Sequence, residues 1–247
     1  MSNPPLRWIS GAILLLAAWL PAAHAALSLN ATRVVFDSDK RSVSIVVNNP
    51  STSTFAVQTW VNTAADDTTT AVPLIASPPL FRLDPGAEQR VQINGLPTRL
   101  PEDRESLFFF NVQEIPQARS DQANVLNIAL RTRIKLFYRP SQLSDDPMTR
   151  LKDLRWSIER RAGKAYLVVD NPTPYHFSFS RLELHHGEQT LRPLEAPMAA
   201  PLSSQRYPLE VPGLGANPRV TFAAINDYGG YSKPITQPVA VPLPTDL

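Results

Sequence analysis

The sequence predicts an all-β protein built from two sandwich domains, and three observations predict it. Short alternating or apolar runs recur along the chain, while helical periodicity is nearly absent. Twenty-five prolines stand against nine glycines, a balance that suits edge strands and fixed loops and disfavours helix interiors. The strand-like runs also fall into two groups, parted by the polar, proline-ended stretch SQLSDDP at 141–147.

The first 25 residues stand apart. Arg7 gives a positive start, ISGAILLLAAWL a short apolar core, and Ala23-His24-Ala25 a small-x-small cleavage pattern. This is the pattern of a secretory leader removed on export, with the mature chain starting near Ala26. A transmembrane anchor is the alternative, but the run is short for a span and ends at Pro21. About 222 residues remain, and loss of Arg7 takes the formal charge from +2 to +1. Such a balance makes no case for nucleic acid. The chain has no cysteine, so thiol chemistry is excluded and stability must come from burial.

In the first group the strands are expected near 27–36, 42–48, 54–62, 72–83, 87–93, 106–115 and 124–138. Asn49-Pro50-Ser51, Asp84-Pro85-Gly86 and Asn94-Gly95 punctuate them as turns. Seven short strands at this spacing suggest an immunoglobulin-like sandwich. The second group repeats the pattern, with strands near 154–160, 164–172, 176–184, 205–211 and 219–227. The expected division is a leader over 1–25, a first immunoglobulin-like domain over 26–143 and a second over 148–247.

No enzyme motif emerges. Asp66-Asp67, Asp145-Asp146 and Glu102-Asp103-Arg104-Glu105 are adjacent acids in loop-like sequence, more typical of solvated turns than of an acid–base pair. His185 and His186 are neighbours on an expected strand and so face opposite ways, with no third metal ligand nearby. The chain has no GxSxG, no phosphate loop and no dinucleotide turn.

The informative segment is NVLNIALRTRIKLFYRP at 124–140. Leu126, Ile128, Leu130, Thr132, Ile134, Leu136 and Tyr138 share one face, and Arg131, Arg133, Lys135 and Arg139 project from the other. Fifteen residues at about 3.3 Å each give roughly 50 Å, far beyond an ordinary strand. Arg131 and Arg133 suit a solvated face that discourages edge pairing. Lys135 sits in a dense apolar setting near the domain boundary, where a lysine wants an anion.

Several patterns together resemble the PapD-like periplasmic chaperones of the chaperone–usher pilus pathway. They are ATRVVF (31–36), PPLFRLDPG (78–86), LPEDRESLFFFNVQEIP (100–116), the segment at 124–140, NPTPY (171–175) and INDYGG (225–230). The short stretch between Pro116 and Asn124 is similar to the short-loop branch that serves rod-like pili.

The resemblance implies two domains in a boomerang arrangement and a non-enzymatic, ATP-independent chaperone in the periplasm. It implies that Asn124–Leu130 is donated to a pilin lacking its last strand, with Leu126, Ile128 and Leu130 filling successive pockets. Arg33 and Lys135 match the cations that grip the pilin's terminal carboxylate, and Glu105, Arg139 and Asp227 match a buried interdomain ion network. The implied partners are pilin subunits and an outer-membrane usher, with no nucleic acid, no small-molecule substrate and no cofactor. Thr54 stands where many relatives have a proline on the usher-facing surface, which alters the expected contact there. A bare strand of this length also predicts weak self-dimerisation of the free protein. Two other classes compete with this reading. A secreted adhesin would use loop residues such as Trp60 or Tyr175, and a β-sandwich hydrolase would need a converging acid pair.

Overall fold

Alternation builds the first domain. Val43, Ile45 and Val47 turn inward from one strand and Val57 and Val61 from another, and they meet Val91, Ile93, Phe110 and Leu136 in one buried core. The computed structural model describes residues 27–67, 69–116, 128–209 and 217–241. The strands of this domain are β1 (Ser28–Leu29), β2 (Arg33–Asp37), β3 (Ser42–Asn48), β4 (Phe55–Asn62), β5 (Leu74–Ser77), β6 (Leu80–Leu83), β7 (Glu88–Gly95), β8 (Ser106–Pro116) and β9 (Arg131–Arg139). They form a four-stranded sheet, β1-β3-β7-β5, packed on a five-stranded sheet, β2-β9-β8-β4-β6.

A short 3-10 helix over Pro147–Asp153 opens the second domain, capped by the Asp146 side chain accepting from the Met148 N–H. Seven strands follow among the described residues: β10 (Arg155–Arg161), β11 (Lys164–Asn171), β12 (Phe179–His186), β13 (Gln189–Leu191), β14 (Ser203–Leu209), β15 (Arg219–Ala224) and β16 (Ile235–Pro238). One sheet is β10-β11-β14 and the other β13-β12-β15-β16. Trp156, Tyr207 and Phe222 pack in tilted and edge-to-face contacts with the half-buried Phe179 at the centre of this second core. Both domains are immunoglobulin-like sandwiches, as the strand spacing predicted.

Several expectations need correction. The run 27–36 is two strands in different sheets: β1 pairs with β3, whereas β2 pairs with β9. Between them, Asn30 accepts a hydrogen bond from the Val46 N–H through its side chain and so ties the crossing to β3. The run 72–83 also divides, because Pro78 and Pro79 have no N–H for a ladder. Their carbonyls instead accept from the Thr59 hydroxyl and the Thr59 N–H. Two strands, β13 and β16, were not foreseen; their three and four residues are too few to show a period. The stretch 141–147 joins the two domains, as expected, and is pinned. Leu143 packs on the second core, and the Tyr175 hydroxyl donates to the Asp145 carbonyl.

The long strand is described only in part. Its ladder runs from Arg131 to Arg139, and residues 128–130 continue it only through the Glu114 N–H donating to the Leu130 carbonyl. Leu126 and the other residues of 124–127 lie outside the described residues, as do the leader residues 1–25.

Candidate functional site

The site begins with a register. Strands β2 and β9 pair in parallel, and the first partners are Arg33 and Lys135. Partners in a ladder project to the same face, so the two cations stand side by side where the first domain meets the second. Arg33 is buried; its Nη1 donates to the Ile225 carbonyl at 3.0 Å, and its Nε has no partner. Lys135 Nζ donates to the Ser178 hydroxyl at 2.6 Å. Neither makes an ion pair among the described residues. Burial, and then the charge of Arg33, lower the pKa of Lys135. Burial lowers that of Arg33 too, against the opposing pull of Asp227 and Glu105. Two desolvated cations with spare donors favour an anion between them.

Four residues further along the same face, Arg139 is saturated. Its Nε and Nη2 donate to Glu105 at 2.9 and 2.7 Å, and its Nη1 and Nη2 to Asp227 at 2.7 and 3.0 Å. Burial opposes this charge, but the two carboxylates outweigh it and hold the Arg139 pKa above its ordinary value. Glu105 belongs to the first domain and Asp227 to the second, so the three predicted residues meet across the junction. The second domain adds a residue that the sequence did not flag. The His176 N–H donates to Glu105 Oε2 at 2.8 Å and the His176 Nδ1 lies 3.0 Å from the same oxygen. Its ring also packs against Phe137, with centroids 5.4 Å apart.

The other end of β9 differs. Ile128 is 61% exposed and Leu130 49%, although both are large and apolar. β2 covers the edge of β9 only from Lys135 onward, so the edge before Lys135 carries no strand partner on that side among the described residues. Arg131 is exposed and Arg133 partly so, as expected of a solvated face, but both are also held by neighbours. Arg131 lies over the Trp60 ring at 4.9 Å and is hydrogen-bonded to Asp66 and Asn111. Arg133 lies over Phe109 at 3.8 Å and donates to the Thr63 carbonyl. The guanidinium of Arg131, then the Asn62 amide, pull Asp66 down to about 2. Alternation identified the face but not the aromatic side chains beneath it.

Asp67 turns back on Thr69 and Thr70, and Asp103 pairs with Arg104 at the surface. His185 bonds Thr190 and Thr221. No group of three or more potential metal ligands gathers among the described residues. Thr54 bonds Asp84, which Arg82 also holds.

This arrangement has close counterparts among known proteins. The family model of the PapD N-terminal domain, a pili and flagellar-assembly chaperone domain, matches residues 26–144. That of the C-terminal domain of the pili assembly chaperone PapD matches 149–236. The chain is 37% identical to the probable fimbrial chaperone YadV of Escherichia coli over 224 residues, 86% of this chain and 90% of the relative. The crystal structure of the YadV chaperone superposes with a TM-score of 0.75 at 35% identity, covering 87% of this chain and all of that one. The Salmonella enterica SafB chaperone, solved in complex with the SafA pilin, gives a TM-score of 0.72 at 26% identity over 86% of this chain and 96% of its own. The fold and the cleft define a two-domain pilus chaperone. The chain belongs to the PapD family of pilus-assembly chaperones.

Proposed function

We propose that this protein works in the periplasm, after export by the leader at 1–25, and holds pilin subunits by lending them a strand until an outer-membrane usher takes them. The observation that carries this reading is the pair Arg33 and Lys135, side by side at the domain junction without a carboxylate of their own.

The chemistry follows from the sheet. A subunit's terminal carboxylate placed between Arg33 and Lys135 accepts charge-assisted hydrogen bonds from both. The chain leading to that carboxylate then lies along the open edge of β9 and stops where β2 begins. Because β2 runs parallel to β9, a strand in line with it that ends at Arg33 also runs parallel to β9. Ile128 and Leu130, with Leu126 before them, are the donated side chains. Burying three such residues contributes roughly 5–9 kcal/mol before ordering costs. Apolar residues thus supply affinity, and the two cations set the register. Glu105, Arg139 and Asp227, with His176, keep the two domains at the angle that holds the cations in the cleft. Strand exchange needs neither a cofactor nor ATP. Thr54, bonded to Asp84, belongs to the surface offered to the usher.

The test is recovery of partners from the periplasm of the native host. Tagged wild type is expected to bring down a small pilin-like protein, and Arg33→Ala and Lys135→Ala forms to lose it. A partner that ignores both substitutions would sink the anchor and leave an immunoglobulin-like adhesin as the better account.

A further inference from the structure

The turn between β15 and β16 carries two large aromatic side chains in the open: Tyr228 is 97% exposed and Tyr231 75%. A single exposed aromatic needs no explanation. This pair differs in two respects, rigidity and place. Asn226 ties the turn together, its side chain accepting from the Tyr228 and Gly230 N–H groups and its own N–H bonding the Gly230 carbonyl. Gly229 sits at φ +84 with its backbone against Thr32, where an added Cβ would lie 2.5 Å from the Thr32 hydroxyl. The backbone of the turn is therefore held in place, and both rings stand off it in the open.

Its place is the edge of the cationic cleft. Ile225, which bridges Tyr231, supplies the carbonyl that holds Arg33, and Asp227, beside Tyr228, holds Arg139. Thr32, against Gly229, directly precedes Arg33. The aromatic pair is thus built on the backbone that positions the anchor.

We propose that Tyr228 and Tyr231 form a receiving surface for aromatic or large apolar side chains in the last residues of the bound subunit, next to its carboxylate. The proposal rests on the reading of Arg33 and Lys135 as a carboxylate anchor. Charge complementarity brings a chain end to this cleft, and continuity with the anchor brings the residues just before that end past the turn. Two exposed tyrosines on a tied backbone turn offer a large contact area, and each has only two side-chain torsions to fix on binding, the usual character of a binding hot spot. The C-terminal domain then reads subunit identity at the chain end, while β9 binds any suitable strand.

The test uses the full mature chain and labelled peptides of alternating threonine and valine, read by fluorescence anisotropy. One peptide carries tyrosine at its last three positions and one carries serine there; each is made with a free and an amidated terminus. Wild type is expected to prefer the free tyrosine peptide by about three- to tenfold. The Tyr228→Ser, Tyr231→Ser double variant, altered only at exposed side chains, is expected to bind both free peptides as wild type binds the serine one. Amidation weakens every pairing if the anchor is right. Absence of a tyrosine preference, or its survival in the double variant, overturns the proposal while leaving the anchor intact. Amidation without effect overturns the anchor and this inference with it.

Discussion

Arg139 and Lys135 are four residues apart on one face of one strand, yet their surroundings are opposite. Arg139, with a side chain 12% exposed, is met by Glu105, 2% exposed, and by Asp227. Lys135 is half-buried, bonded to a neutral hydroxyl and set beside another cation. Both positions cost desolvation, but only one recovers it within the chain. A cation whose partners are already present maintains a structure. Under the proposed function, a half-buried cation without an anion is the one kept for a ligand.

Arg139 is the position where substitution has the largest effect. Replacement by methionine leaves Glu105 buried with His176 alone, and a loss of about 3–5 kcal/mol is expected in urea unfolding. Lys135→Met should do the reverse: folding stability is unchanged or raised, while affinity for a pilin falls by about 2–5 kcal/mol in titration calorimetry. Equal destabilisation by both substitutions would show that the two cations are alike.

A pH series sharpens the contrast further. The free-state pKa of Lys135 lies below its ordinary 10.5, and a bound carboxylate raises it. Subunit affinity should therefore hold below the free-state pKa and decline as pH rises through it, by about tenfold for each unit until the bound-state value is passed. The free protein has the opposite dependence: this one group makes it more stable as pH climbs from that lowered value toward 10.5. An alkaline titration of affinity that stays flat through pH 10.5 would separate Lys135 from binding. The smallest effect belongs to the far end of β9. Asp66→Asn loosens the hold on Arg131 at an exposed site, and little or no shift of the midpoint is expected in thermal unfolding.

Much of this was legible in the sequence, and the remainder has identifiable causes. Period-two alternation placed β3, β4, β10 and β11 almost to the residue, because in each the alternate residues are apolar and turn toward the core. It could not show that 27–36 changes sheets, since both pieces remain extended and apolar across the switch. Arg33, Lys135, Glu105, Arg139 and Asp227 were named from the resemblance; charge pattern alone suggested only that Lys135 needs an anion. His176 and Ser178 were missed. They reach the junction from the second domain, and nothing local in HFSFS marks side chains that cross to another fold unit. Trp60 and Phe109 were missed as platforms for arginine for the same reason: cross-strand neighbours are distant in sequence.

The sheet change after β1 has one more consequence. Had the chain run straight back from Arg33 along β9, Leu29 would lie opposite Arg131, since Arg33 lies opposite Lys135. The domain would then have closed its own edge and had nothing to lend. By steering Ser28 and Leu29 to β3 instead, the bend at 30–32 leaves the edge of β9 before Lys135 without a strand beside it among the described residues. The bend is in effect an inhibitor removed in advance. A variant that straightens it would fold as a self-satisfied sandwich, stable and idle.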